Sequence, residues 1–78
     1  MLKKSHEVVL YTREGCHLCE EAEQTLIAHG LLASVLDIDT VPALREQFDT
    51  CVPVVEIDGK IRFRGRVDAV LLRRIVGR

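Results

Sequence analysis

Two cysteines three residues apart, Cys16 and Cys19, follow Gly15 closely, and their spacing could do chemistry. The apolar run Val8-Val9-Leu10 ahead of them reads as the end of a strand, and the residues after them read as a helix. A cysteine at a helix N-terminus faces unpaired backbone N–H groups and the positive end of the dipole, which favour a reactive thiolate. A second cysteine one turn later lies on the neighbouring helix surface, near enough to close a disulfide by exchange. The pattern points to thiol–disulfide redox chemistry, with Cys16 and Cys19 as the candidate catalytic pair. On a 3.6-residue period Cys19, Ala22 and Leu26 share one stripe, so Cys19 should face inward and Cys16, at the helix mouth, outward. A nucleophile and its resolving partner need that asymmetry.

Other uses of the same residues are open. A zinc site would need four ligands, and beyond the pair only Cys51 and one of His6, His17 or His29 could supply them. A metal-handling module, for zinc or an iron–sulfur cluster, or a non-catalytic binding module on the same fold, is therefore the alternative. Dithiol chemistry itself requires no cofactor and no metal, because reducing equivalents come from outside. His17, when protonated, would stabilise the neighbouring thiolate, while Glu14 and Glu20 would oppose its ionisation. Cys51 reads as a half-exposed loop thiol, and His6 and His29 have no evident partner.

At 78 residues the chain is expected to be one domain, 1–78, and its 47% hydrophobic and 4% aromatic content implies an aliphatic core. A net charge of -1 implies no bulk attraction to nucleic acid or membrane. No apolar run approaches the ~20 residues of a membrane span. Met1 to Glu7 shows no apolar signal region. Three cysteines, two of them in one Cys-x-x-Cys, do not suit a secreted disulfide scaffold. A cytoplasmic monomer is the expectation. The basic C-terminal set Arg62, Arg64, Arg66, Arg73, Arg74 and Arg78 lacks interleaved aromatics for stacking bases. It reads as a solvated face, or as a docking surface for an acidic partner.

The positioning elements follow from local signals. Glu7 to Thr12 reads as a central strand, and the first helix should run from Cys16 or His17 to His29, stopped by Gly30. Leu31 to Ile38 reads as a second strand, parallel to the first through a right-handed crossover. Asp39 or Thr40 should cap a short helix with Pro42 in its first turn and Leu44 and Phe48 as a buried pair, ending before Cys51-Val52-Pro53. Val54 to Ile57, Asp58-Gly59 and Lys60 to Arg64 form a hairpin signal, with Ile61 and Phe63 alternating against Arg62 and Arg64. A last helix over Val67 to Val76 places Val67, Val70, Leu71, Arg74 and Ile75 at helical spacing, ending at Gly77. The predicted order is β-α-β-α-β-β-α, a four-stranded mixed sheet flanked by helices.

Together these residues resemble a glutaredoxin-like protein of the thioredoxin superfamily, over nearly the whole chain. The stretch Tyr11-Thr12-Arg13-Glu14-Gly15-Cys16-His17-Leu18-Cys19 is similar to that family's approach to its active site. Val52-Pro53 before a strand resembles the family's Thr-Val-Pro, whose proline is cis, and Gly65 and Asp68 take the place of its Gly-Gly-x-x-Asp segment. The resemblance implies a thioredoxin-like, glutaredoxin-type α/β fold and a disulfide oxidoreductase acting on protein or small-molecule disulfides. It makes Cys16 the attacking thiolate and Cys19 the resolving thiol. Val52 would offer backbone hydrogen bonds to substrate, with Pro53 fixing that loop and His17 lying between the cysteines. Arg13 would reach a glutathione carboxylate and Asp68 the glutathione amino end. His17 and Leu18 replace the common Pro-Tyr pair, Cys51 replaces threonine, and Arg64 replaces the first of two glycines. The electron donor is expected to be a reductase or glutathione, with the bulk of Arg64 favouring the reductase.

Overall fold

In the computed structural model, which describes residues 6–77, the strand ahead of the cysteines is β1, Val8–Thr12. Helix α1 spans His17–Ala28, and β2, Ala33–Asp37, runs parallel to β1 with Val8 opposite Ala33 and Thr12 opposite Asp37. A single 3₁₀ turn, Ile38–Thr40, leads into α2, Pro42–Phe48. Strands β3, Val54–Ile57, and β4, Lys60–Arg64, form the hairpin, and α3, Ala69–Val76, closes the chain. The sheet order is β2-β1-β3-β4, with β3 antiparallel to both neighbours. The order and mixed pairing match the expected fold class. The inference about the N-terminus rests largely on Met1 to Ser5, which lie outside the described residues, as does Arg78 of the basic set. No helix among the described residues is long and apolar enough to cross a membrane.

The core divides between the two faces of the sheet. One face buries Val8, Leu10, Val55, Ile57 and Phe63 against Ala22 and Leu26 of α1 and Leu72 of α3. The other packs Ile38, Phe48 and Val54 with Tyr11, Leu44, Cys51, Val52 and Ile61. Ile61 and Phe63 therefore lie on opposite faces, although strict alternation would place them together. A register shift between Val55 and Glu56 explains the change: Val55 faces Phe63 while Glu56 faces Ile61, leaving Arg62 as an extra residue in β4. In the turn, Asp58 and Gly59 both have positive φ, 53° and 85°, as the tight hairpin requires.

Three further features differ from expectation. The cap of α2 is Val41, with no side-chain bond to the helix, because the Asp39 carboxylate is held by Arg13 and the Thr40 hydroxyl donates to the Asp37 carbonyl. In α3 the buried residue is Leu72, packed with Ile75 and Val76, while Val70 and Leu71 face outward. The run Val70-Leu71-Leu72 allows several phases, and packing with Ala22, Leu26 and the sheet selects the one that buries Leu72. Strand β2 is shorter than Leu31 to Ile38 and forms an edge, which leaves Val35 and Leu36 exposed. His6 and His29 also find partners: His6 Nδ1 lies 2.7 Å from Asp58 Oδ2, and His29 Nδ1 donates to the Thr25 carbonyl.

Candidate functional site

The strand registers bring the candidate residues to one end of the sheet. Tyr11 of β1 pairs with Val54 of β3, and Val54 pairs with Arg64 of β4. The turn leading to Cys16, the Val52-Pro53 segment and Gly65 therefore leave the sheet at the same end. Thr12 opposite Asp37 brings the end of β2 there as well.

Cys16 is the N-cap of α1: its backbone is extended, and its Sγ accepts a hydrogen bond from the Cys19 N–H at 3.1 Å. Its own N–H donates to the Arg13 carbonyl across the Glu14-Gly15 turn. Orphan donors at a helix start stabilise negative charge, so a thiolate at Cys16 gains from this position. Cys16 and Cys19 are joined in a disulfide, with Cα atoms 5.2 Å apart. Cys16 is half-buried, whereas Cys19 is only 3% exposed, on the stripe with Ala22 and Leu26. Cys19 faces inward as predicted, and Cys16 is the more open of the two. His17 is exposed, with its Nδ1 3.8 Å from Glu20 Oε1.

On the adjoining loop the Val52–Pro53 bond is cis, Pro53 is buried and Val52 half-buried. Gly65, at φ +85°, donates its N–H to the Pro53 carbonyl at 2.7 Å, fastening the end of β4 to that loop. A side chain at position 65 would meet open space, so the positive φ is what favours glycine there. Arg64 is exposed beside it. Cys51 is a free thiol packed against the Ile38, Phe48 and Val54 cluster.

Two residues assigned to ligand binding by resemblance are engaged within the protein. Arg13 donates from Nε and Nη2 to both carboxylate oxygens of Asp39, at 2.9 and 3.0 Å. It also donates to the Asp49 carbonyl and carboxylate, at 2.9 and 2.7 Å. Bonding to Asp39 and then Asp49 holds the guanidinium pKa above its usual range, and the same contact lowers that of Asp39. The Asp68 carboxylate caps α3, accepting from the Val70 and Leu71 N–H groups. Neither aspartate partner of Arg13 was legible in the sequence, since they lie 26 and 36 residues away. Among the described residues no group of three or more His, Cys, Asp and Glu side chains is placed to hold a metal ion.

The sequence matches the family described as Glutaredoxin-like domain (DUF836) over residues 7–76. The chain belongs to this family. The glutaredoxin-like domain is also similar to solved structures. Protein XcR50 from X. campestris is 32% identical, with a TM-score of 0.76 over 90% of this chain and 95% of that one. Protein Ne2328 from Nitrosomonas europaea is 26% identical, with a TM-score of 0.83 over 96% and 95%. The oxidised form of mitochondrial thioredoxin 3 from Saccharomyces cerevisiae is 14% identical, with a TM-score of 0.61 over 96% and 79%, and shows the shared fold alone. No curated protein matches the sequence. The glutaredoxin-like domain thus joins a thioredoxin-type fold to a Cys-x-x-Cys pair at disulfide distance.

Proposed function

We propose that the glutaredoxin-like domain is a thiol–disulfide oxidoreductase that reduces disulfides through Cys16 and Cys19. The observation that carries this is the unequal burial of a bonded pair at the start of α1, with Cys16 as the helix cap and Cys19 in the core. In the reduced protein the Cys16 thiolate attacks one sulfur of a substrate disulfide, forming a mixed disulfide and releasing one thiolate, which takes a proton from solvent. The Cys19 thiolate then attacks Cys16 Sγ, closes the Cys16–Cys19 bond and releases the second substrate thiolate. Two electrons pass from the dithiol to the substrate. The Val52-Pro53 loop, with Val52 half-buried, would supply the surface on which an extended substrate lies.

The oxidised pair must be re-reduced from outside, and a protein reductase suits this site better than glutathione. Arg13 uses four donor contacts on Asp39 and Asp49, and Asp68 is occupied as a helix cap. Arg64 stands exposed where the glutaredoxin pattern has the first of two glycines. Equilibration in dithiol buffers of graded potential, with mass spectrometry of the pair, should give a two-electron transition confined to Cys16 and Cys19. A pair that stays oxidised or reduced throughout would refute the function. Turnover should be faster with a thioredoxin-reductase-type enzyme than with glutathione and its reductase.

A further inference from the structure

Cys16 lines an open hollow of about 450 Å³ in the corner between α1 and β2. Its other lining residues include four carboxylates, Glu14, Glu20, Glu23 and Asp37, with Val35 as an apolar member. The lone cation of that lining, Arg13, is already paired with Asp39 and Asp49, so its charge is engaged by carboxylates outside the lining. Arg66 lines a separate hollow with Leu18, Glu21 and Val67, and Arg64 lies beside the Pro53 loop, so both cations stand outside the lining of this hollow. The reactive sulfur thus sits at the edge of an acidic trough.

From this juxtaposition we infer that the redox site selects polypeptide disulfides flanked by lysine or arginine; the inference rests on the oxidoreductase function proposed above. An incoming disulfide must place one sulfur against Cys16, so its neighbouring groups enter the field of the rim. Charges of one sign lining a cleft focus the potential and change encounter rates by about 10 to 10³-fold. Glu23 lies three residues beyond Glu20, about one turn further along α1, so the negative field is extended rather than confined to one point. That extent suits a segment with successive basic side chains, whose methylene stems can lie on Val35 while their charged heads reach the carboxylates. Anionic disulfides, glutathione disulfide among them, meet repulsion at the same place.

The test follows exchange of the reduced protein with three peptide disulfides of one backbone, flanked by lysine, serine or glutamate. At low ionic strength the lysine peptide should react about tenfold or more faster than the glutamate peptide, and raised salt should shrink that ratio as screening predicts. Replacing the rim glutamates together (Glu14→Gln, Glu20→Gln and Glu23→Gln) should bring the ratio to within about twofold, the collapse expected when the local field is removed. The single variants Glu20→Gln and Glu23→Gln should each lower it part of the way, and they serve if the triple variant does not fold. Equal rates for all three peptides, a preference for the glutamate peptide, or a ratio unaffected by the substitutions would overturn the inference while leaving the redox function intact. No exchange with any peptide would instead refute the redox function itself, and this inference with it.

Discussion

The guanidinium of Arg13 grips both carboxylate oxygens of Asp39, at 2.9 and 3.0 Å, and so ties the turn before Cys16 to the 3₁₀ turn after β2. The pair is solvent-exposed, and its effect lies in holding two loops in one geometry rather than in burial. Bonding to Arg13 depresses the Asp39 pKa, so the stabilisation is present above the carboxyl's unfolded value and is lost as pH falls through the folded one. Thermal melts from about pH 7 down to about pH 2 should show a flatter acid limb for Asp39→Asn than for the parent. An unchanged acid limb would mean that Asp39 does not contribute to acid stability.

Unequal burial of the two sulfurs predicts a division of labour. Cys19→Ser should accumulate mixed disulfides through Cys16, whereas Cys16→Ser should accumulate none, and both should reduce disulfide turnover to background. Limiting alkylation of the reduced protein, read by mass spectrometry, should modify Cys16 before Cys19. First labelling at Cys19 would reverse the assignment.

Phe48 is buried beneath the Cys51-Val52-Pro53 segment, with its ring centroid 4.9 Å from that of Tyr11. Phe48→Ala should cost about 3 to 5 kcal/mol in denaturant unfolding, from lost burial and the cavity left behind. Phe48→Leu should recover much of that loss.

Burial, with the hydrogen bond to Glu56 Oε1 at 3.0 Å, raises the Tyr11 pKa. Its contribution to stability is full below the unfolded value and is lost as pH rises through the folded one. Melts above about pH 10 should therefore fall more steeply for the parent than for Tyr11→Phe.

Asp68 caps α3 through the Val70 and Leu71 N–H groups. Asp68→Ala should destabilise the protein by about 1 kcal/mol, and Asp68→Ser should restore most of it, since serine can accept the same bonds. Equal losses in both variants would point to a role other than capping.

The chain's local chemistry determined the seven-element order, the hairpin at Asp58-Gly59 and the buried Cys19 against the more open Cys16. Those signals act over one or two turns: apolar period, turn residues, and a cysteine at the strand-to-helix junction. Tertiary packing decided the rest. The β4 bulge, which sends Ile61 and Phe63 to opposite faces, depends on how the hairpin fits both halves of the core. The phase of α3 depends on which residue of Val70-Leu71-Leu72 joins the core formed by α1 and the sheet. Arg13 is directed to Asp39 and Asp49 because charges 26 and 36 residues apart meet only after β1 and β2 pair and α2 folds back. The acidic trough beside Cys16 arises the same way, from carboxylates on the turn, on α1 and at the end of β2. Local periodicity records which face an element hides; only the folded chain records which distant charges end up side by side.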